Sequence, residues 1–494
     1  MQYTSTRDSS KRVTAQEAIL RGISPEGGLF VPTELPFLTE EDLSDLSRMD
    51  YPGRAVWVLS RFLPDWTEEE LIDAVTAAYG SRFEEDDPAP LARLSEGQYL
   101  LELWHGPTCA FKDMALQLLP KLLVKAAQKC GCKEEIAILT ATSGDTGKAA
   151  LEGFRDVSGT RVMVFYPQEG VSRMQKRQMT AQQGRNLSVV GIRGNFDDAQ
   201  NGVKAIFGDE GLSKELLERG FVLSSANSIN WGRLVPQIVY YISAYCNLVK
   251  DGEIAAGEEI NFCVPTGNFG NILAGYYAKG MGLPVKRFIC ASNRNNVLTD
   301  FISTGRYDRN RRFYTTTSPS MDILISSNLE RLVYLLTGRS DAKTAEKMAA
   351  LRSAGVYQLD EGELVSLQKE FTGGCCDDQQ AAEAIKAAFE KYSYLCDPHT
   401  AVAVRVWENY REETGDKTKT VILSTASPYK FADTVLSALG QEIPEDDFAR
   451  LEALEKLSGL PVPAALSALR DAPCRFTDLC DAGEMGEKVR EFLR

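Results

Sequence analysis

Short apolar stretches of strand-forming residues recur along the chain, alternate with helical patterns, and several end in a glycine-rich turn. These stretches are residues 136–142, 161–166, 187–192, 221–224, 260–264, 286–290 and 420–424. Near-continuous apolar strands that alternate with helices are typical of a parallel sheet covered by helices on both faces. In such sheets ligands bind outside the carboxyl ends of the strands. The spacing therefore predicts an α/β chain whose site lies in the turns that follow its strands.

The length and the flanking segments predict the domain organisation. A chain of 494 residues corresponds to about three structural units. An acidic, proline-containing segment at residues 84–90 marks a boundary. We predict a mixed N-terminal domain over 1–92, a core over 93–440 with a smaller lobe at about 130–235, and a helical C-terminal extension over 441–494. Further helical patterns cover residues 114–129, 324–350 and 369–392.

Composition excludes several classes of protein. The net charge of −14 argues against a nucleic-acid binder, and the absence of an apolar run of 18 residues argues against a membrane span. Because His105 and His399 are the only histidines, neither a multi-histidine metal site nor a hydrolytic triad is expected. The cysteines include no C-x-x-C pair, and the N-terminus has no apolar signal region. We therefore expect free thiols, no metal site and a cytoplasmic location.

Lys112 follows a predicted strand and a Gly-Pro turn, and it lies at the start of a predicted helix. The positive end of the helix macrodipole disfavours a cation there and lowers the pKa of the lysine. A neutral amine forms a Schiff base with a carbonyl cofactor, for which pyridoxal phosphate (PLP) is the natural candidate. The structural alternative is a surface lysine whose amine reaches solvent near a helix end.

Two further glycine-rich turns, residues 140–147 and 265–271, each join a predicted strand to a helix. Their glycines and small polar residues leave backbone N–H groups free at a helix N-terminus, which suits a carboxylate or phosphate oxygen. The second turn lacks both the G-K-[ST] and the G-x-G-x-x-G patterns, which argues against triphosphate and dinucleotide binding. The structural alternatives are a helix capped by Ser143 or Asp145 in the first turn and a tight βα turn in the second.

Polar residues at three other places suggest weaker candidates. A second anion site is suggested before a long predicted helix by Asn227, Ser228, Asn230 and Arg233; its alternative is a helix cap plus a surface arginine. Thr425 ends a strand, and a hydroxyl there could face a pyridine nitrogen. For Asp397 and His399 we favour a capping aspartate with a structural histidine.

Taken in order, these segments resemble threonine synthases of the longer microbial and fungal type, PLP enzymes of the tryptophan-synthase-β fold group. The resemblance rests on YTSTRD (3–8), PEGGLFVP (25–32), HGPTCAFKD (105–113), TATSGDTG (140–147), GVSRMQKRQM (170–179), GNFDDAQ (194–200), SANSINWGR (225–233), PTGNFGN (265–271), SPSMDILISSNLER (318–331) and DPHTAV (397–402). It covers most of the chain. Two positions depart from the family pattern: Asp8 stands where the family usually has glycine, and Ser427 where it has histidine.

The resemblance implies PLP fold type II, with two parallel-sheet α/β lobes and the cofactor between them. It assigns the Schiff base to Lys112, the phosphate cup to Gly267, Asn268, Phe269, Gly270 and Asn271, and the hydroxyl near the pyridine nitrogen to Thr425. It assigns the substrate's α-carboxylate to Ser143, Gly144, Asp145 and Thr146, and the other substrate end to Asn227, Ser228, Asn230 and Arg233.

The reaction implied is conversion of O-phospho-L-homoserine and water to L-threonine and phosphate, with Lys112 moving the α- and β-protons. The expected partner is this small-molecule substrate, in a monomer or homodimer. The nearest alternative is a phospho-lyase that releases 2-oxobutyrate, ammonia and phosphate from the same substrate; a threonine or serine dehydratase would not need a second anion site. A non-catalytic PLP-binding regulatory protein is the alternative from another class, and the retention of Lys112 with all three glycine-rich loops argues against it.

Overall fold

The computed structural model describes residues 1–168 and 171–494, apart from the side chain of Asp197. Gly170, which opens the GVSRMQKRQM motif, therefore lies outside the described residues, as does the side chain of Asp197 in GNFDDAQ. Among the helices of the described residues, none combines the length and the apolar composition that crossing a membrane requires.

The described elements alternate between strands and helices through most of the chain. The strands are β1 Tyr3–Ser5, β2 Phe30–Pro32, β3 Leu91–Ser95, β4 Gln98–Glu102, β5 Glu135–Ala141, β6 Thr160–Pro167, β7 Leu187–Ile192, β8 Phe221–Ser224, β9 Ile260–Pro265, β10 Val285–Ser292, β11 Arg306–Asp308, β12 Val356–Gln358, β13 Phe371–Cys375, β14 Thr420–Ser424 and β15 Leu479–Cys480. The helices are α1 Ala15–Arg21, α2 Glu40–Arg48, α3 Tyr51–Phe62, α4 Glu68–Tyr79, α5 Asp113–Leu116, α6 Leu119–Lys129, α7 Asp145–Gly153, α8 Arg173–Thr180, α9 Phe196–Gly208, α10 Glu210–Glu218, α11 Trp231–Lys250, α12 Gly270–Met281, α13 Val297–Thr304, α14 Leu329–Leu336, α15 Asp341–Ser353, α16 Glu361–Glu370, α17 Asp378–Tyr392, α18 Pro398–Thr414, α19 Ala432–Ala438, α20 Asp447–Ser458, α21 Ala464–Ser467 and α22 Met485–Phe492. Short 3₁₀ helices cover Pro319–Met321, Pro428–Phe431 and Ala482–Glu484.

Two sheets organise the core. The larger has the order β13-β10-β9-β14-β4-β3 and is parallel except for the antiparallel β3–β4 pair. The smaller has the order β15-β7-β6-β5-β8 and is parallel throughout. The predicted α/β class with two parallel lobes is confirmed.

Burial explains why the strand sequences are so apolar. Every residue of β9 is buried, because helices cover both faces of the large sheet. Helix α11 is buried on nearly all sides, and it packs against α2 and α3 of the N-terminal segment as well as against α12. One hydrophobic cluster runs from the N-terminal helices through α11 to both sheets. The N-terminal segment is thereby packed against the core.

Two predicted helices are interrupted. The helix predicted over 114–129 is divided into α5 and α6, and Pro120 occupies the first turn of the second piece. Proline supplies no N–H to a preceding turn and is favoured in the first turn of a helix, which is consistent with a new helix that starts at Leu119. The helix predicted over 324–350 is two helices, α14 and α15, because Gly338 and Arg339 between them have positive φ angles of 69° and 64°.

Two predicted helical regions contain strands instead. Residues 369–392 start with the last two residues of α16 and end with α17, but between these helices lies β13, which pairs with β10 at the edge of the large sheet. The predicted helical C-terminal extension contributes β15, which pairs with β7 at the edge of the smaller sheet. Each of these two strands lies at the edge of its sheet and pairs with one neighbour, β10 or β7. We attribute their extended conformation to this pairing, because strand preference depends strongly on context.

Candidate active site

A cavity of about 840 Å³ lies between the two sheets, at the carboxyl ends of β5, β9 and β14. The predicted site residues that line it are Lys112, Ser143, Thr146, Asn227, Ser228, Arg233, Gly267, Asn268, Phe269, Gly270, Asn271 and Thr425. Gly144, Asp145 and Asn230 are not among the lining residues. The chain thus brings its three glycine-rich turns together at one cleft.

Lys112 lies in the wall of this cavity and is 9% exposed. Burial lowers the pKa of its amine to about 8; Asp145 opposes this shift, and Lys430 and Arg233 add to it. The direction matches the prediction from the helix macrodipole, but the leading cause is burial, and the helix that starts after Lys112, α5, has only 4 residues. Above pH 8 the amine is neutral and nucleophilic.

Asp145 is buried directly behind Lys112. Its Oδ2 lies 3.8 Å from the Lys112 Nζ, while its Oδ1 accepts hydrogen bonds from Lys430 Nζ at 2.5 Å and from Gln175 Nε2 at 2.8 Å. Burial alone would raise the pKa of this carboxyl, but Lys430 and Lys112 hold it below its ordinary value. Asp145 therefore stays ionised and lies against the lysine rather than in the cavity wall.

The turn before α7 is capped differently from the structural alternative, in which Ser143 or Asp145 is the cap. Gly144 is the N-cap residue with φ of 135°, and no side chain of its own caps the helix. Instead, Thr142 Oγ1 accepts the N–H groups of Gly144 at 3.0 Å and Gly147 at 2.9 Å. Ser143 is consequently left facing the cavity, where its hydroxyl and the start of α7 can bind a carboxylate.

The turn before α12 has the geometry of an anion site. Phe269 adopts a left-handed conformation with φ of 61°, no side chain caps the helix, and the first N–H groups of a helix have no partner within it. Asn271 Oδ1 accepts hydrogen bonds from Tyr240 at 2.5 Å and Tyr241 at 2.9 Å, whereas its buried Nδ2 has no partner among the described residues. These donors together suit a phosphate group.

Arg233 is a buried cation at the same cavity. One guanidinium nitrogen donates to the carbonyl of Ala226, but among the described residues Nε has no hydrogen-bond partner and the guanidinium forms no ion pair with a carboxylate. Burial lowers its pKa to about 10, so it remains charged at neutral pH. Asn230, by contrast, caps α11 through Gly232 and donates its Nδ2 to Ile19, which is a structural role.

Sequence reasoning gave no role to Ser320, and it favoured a structural one for His399, yet both line the cavity. The Ser320 N–H donates to His399 Nε2 at 3.1 Å, so that nitrogen carries no proton. The other ring nitrogen therefore donates to Asp397 at 2.7 Å, and the imidazole is neutral. Asp397 caps α18 as predicted. In the sequence, the only indication of a role for these two lining residues is that Ser320 lies in the motif SPSMDILISSNLER and His399 in the motif DPHTAV.

The described residues fit PLP. Lys112 supplies an amine for its aldehyde, the turn before α12 supplies unpaired donors for its phosphate, and the Thr425 hydroxyl lies at the same cavity. The unpartnered Asn271 Nδ2 is the observation that supports this fit best, since a buried amide without an acceptor is costly unless a ligand provides one. Fold and site thus define a PLP-dependent enzyme of fold type II.

Comparison with known proteins specifies the family. A family model described as "Pyridoxal-phosphate dependent enzyme" matches residues 87–426, and models described as "Threonine synthase N terminus" and "Threonine synthase, C-terminal" match residues 2–79 and 400–492. The chain belongs to the threonine synthase family, within the PLP-dependent lyases, and PLP is its cofactor.

Individual relatives agree with this assignment. The threonine synthase of Pseudomonas aeruginosa is 40% identical over 89% of this chain and 91% of its own. The PLP-bound threonine synthase structure from Brucella melitensis has a TM-score of 0.88 at 37% identity, and 100% of both chains are covered. Human "Threonine synthase-like 1" is 42% identical over 92% of this chain, which spans 62% of that relative's length.

Proposed function

We propose that the protein converts O-phospho-L-homoserine and water to L-threonine and phosphate. The observation that carries this proposal is Arg233, a buried cation without a carboxylate partner among the described residues, at the cavity that also holds Lys112. A buried charge is costly unless an opposite charge compensates it. With the cofactor's phosphate assigned to the turn before α12, Arg233 remains available for a second phosphate, that of the substrate.

We assign the proton transfers to Lys112. When bound, the pyridoxal ring delocalises the negative charge that develops at the substrate's α-carbon. The Lys112 Nζ, neutral above pH 8, accepts the α-proton and gives it up again before it accepts a β-proton. Both protons end in the product, one at Cγ and one at Cα. Ser143 and Thr146 at the start of α7 bind the α-carboxylate and orient the α-carbon toward that nitrogen.

The same charges account for the departure of phosphate from Cγ. Arg233, assisted by Asn227 and Ser228, stabilises the leaving phosphate. Because His399 is neutral and is held by Asp397 and Ser320, it has no free nitrogen to serve as base. We assign activation of the attacking water to the retained phosphate, which accepts one proton of the water while the water oxygen forms its bond to Cβ.

The second candidate function is the phospho-lyase that forms 2-oxobutyrate and ammonia. We retain it because the human relative carries the name "Threonine synthase-like 1" rather than threonine synthase. One reaction with PLP-loaded protein and O-phospho-L-homoserine, assayed for phosphate, L-threonine and 2-oxobutyrate, separates the two. Phosphate matched by threonine supports the synthase, and phosphate matched by 2-oxobutyrate supports the lyase. Absence of all three products would contradict both candidate functions. Lys112→Ala is the negative control, since it removes the amine on which both reactions depend.

We also propose a domain division at residues 92 and 440, a monomeric or homodimeric state and a cytoplasmic location. Strand β3 crosses the first boundary, so limited proteolysis should cut within residues 84–90 rather than at 92. Light scattering on the full chain would give its oligomeric state.

A further inference from the structure

Asp145 is shared by two lysines that belong to different parts of the fold. Lys430 lies in the short helix after β14 of the large sheet, and its side chain is completely buried. Its Nζ contacts Asp145 Oδ1 at 2.5 Å and the carbonyl of Thr108 at 3.0 Å. Asp145 itself opens α7 of the smaller lobe. Lys430 has no direct place in the reaction described above, and it is not among the cavity-lining residues.

The two lysines do not compete equally for this carboxylate. Lys430 and Gln175 hydrogen-bond to Oδ1, and the Ser320 hydroxyl donates to Oδ2 at 3.2 Å. Lys112 Nζ lies 3.8 Å from Oδ2, beyond hydrogen-bond distance. Three partners thus occupy the carboxylate, and the reactive lysine is left next to it without a hydrogen bond to it.

The charges around Lys112 add to this effect. Asp145 is the anion that acts on it, while Lys430 and Arg233 are cations that act on it from two other elements. Asp113, next to Lys112, accepts hydrogen bonds from Thr108 and Gln117, and His399 is held by Asp397 and Ser320. A buried amine surrounded by more positive than negative charge favours its neutral form.

We infer that Lys430 is a positioning residue, which occupies the Asp145 carboxylate so that Lys112 meets the cofactor as a neutral amine. Without Lys430, Lys112 would be the remaining cation next to Asp145 among the described residues, and their 3.8 Å contact would tighten to a hydrogen-bonded salt bridge that keeps Lys112 protonated. The inference rests on the proposed role of Lys112, and it does not depend on which product the reaction forms.

The test measures the titration of Lys112 in the full-length chain freed of cofactor. Competitive acetylation from about pH 6 to about pH 11, followed by mass spectrometry of the peptide that contains Lys112, gives the midpoint of its reactivity. In Lys430→Met we expect this midpoint to rise by about one pH unit or more, so that roughly tenfold less neutral amine is present at pH 7. In Asp145→Asn it should fall. Lys430→Gln serves if the methionine variant does not fold; because it removes the charge but keeps a donor to Asp145, its midpoint should rise by less than that expected for methionine, and no rise in it would contradict the inference.

Lys148→Met is the matched control, because Lys148 is also a buried lysine, paired with Glu152 on the same helix as Asp145. Its replacement should leave the Lys112 midpoint unchanged. An unchanged midpoint in a folded Lys430 variant would overturn the inference, and so would an equal rise in the Lys148 variant. The product assay tests the proposed reaction separately, since a shifted midpoint with no threonine formed would contradict that reaction alone.

Discussion

The carbonyl oxygen of Thr425 accepts the backbone N–H of Phe111 at 2.8 Å. This hydrogen bond, together with the bridge between Ala110 and Ala426, ties the segment before α5 to the carboxyl end of β14. Lys112 is therefore fixed by backbone contacts at the rim where β9 and β14 end. A lysine that is already positioned and buried loses little further side-chain freedom when it reacts.

The first prediction concerns the pH dependence of cofactor attachment. Only neutral Lys112 attacks an aldehyde, and the pKa of its amine is lowered to about 8. The rate at which cofactor-free chain takes up PLP, followed by absorbance, should therefore rise with pH through about 8 and level off above it. A midpoint near the ordinary lysine value of about 10.5 would contradict the burial argument.

Replacement of Arg233 tests the second phosphate site. Loss of charged hydrogen bonds of roughly 1.5–3 kcal/mol should raise KM for O-phospho-L-homoserine about tenfold to a hundredfold in Arg233→Ala, while PLP binding is retained. Steady-state kinetics with a PLP titration measure both effects. Arg54→Lys is the control, since Arg54 is a buried arginine that bonds Ser243 and Asn247 away from the cavity. Unchanged kinetics in Arg233→Ala would remove this residue from the substrate site.

Gly144 should tolerate no side chain. A Cβ there would lie 2.4 Å from Gln175, which is itself held by Asp145, and the φ of 135° disfavours any other residue. Gly144→Ala should lower the free energy of unfolding by about 1–3 kcal/mol from the clash, in addition to the backbone strain. Gly131→Ala provides the comparison, because Gly131 also has positive φ but open space around its Cα, so strain of about 1–2 kcal/mol is its whole cost. Thermal unfolding of both variants should give a clearly larger loss for Gly144.

The C-terminal tail should stabilise the smaller lobe. Met485 is buried against α9 in the cluster that also contains Cys480 and Val489. Met485→Ala should lower the free energy of unfolding by about 2–5 kcal/mol, measured by urea denaturation. Leu460→Ala, at a side chain that is 45% exposed, should change it by less than about 0.5 kcal/mol. If Met485→Ala lowered the free energy of unfolding no more than Leu460→Ala does, the tail would contribute little to the packing of this lobe.

Much of the candidate site could be read from local sequence. The strands over 187–192, 221–224 and 420–424 have the predicted bounds, because an apolar run between turn residues defines a buried strand by itself. The glycine-rich turns after β5 and β9 lie at the cavity as expected, since parallel strands bring their carboxyl ends to one edge. Asn230, predicted to face the other substrate end, caps α11 and lies outside the cavity lining, and a local pattern does not distinguish a capping amide from a binding one. Its role toward the substrate stays a prediction.

What the sequence determined by itself is therefore the set of βα units and the turns that carry Lys112, Ser143 and Asn271. The tertiary structure decided which distant residues meet: Lys430 with Asp145, β13 with β10 and β15 with β7. The physical reason is range. Turns and helices follow from contacts between near neighbours in sequence, whereas an edge strand or a buried ion pair exists only when the folded chain supplies its partner.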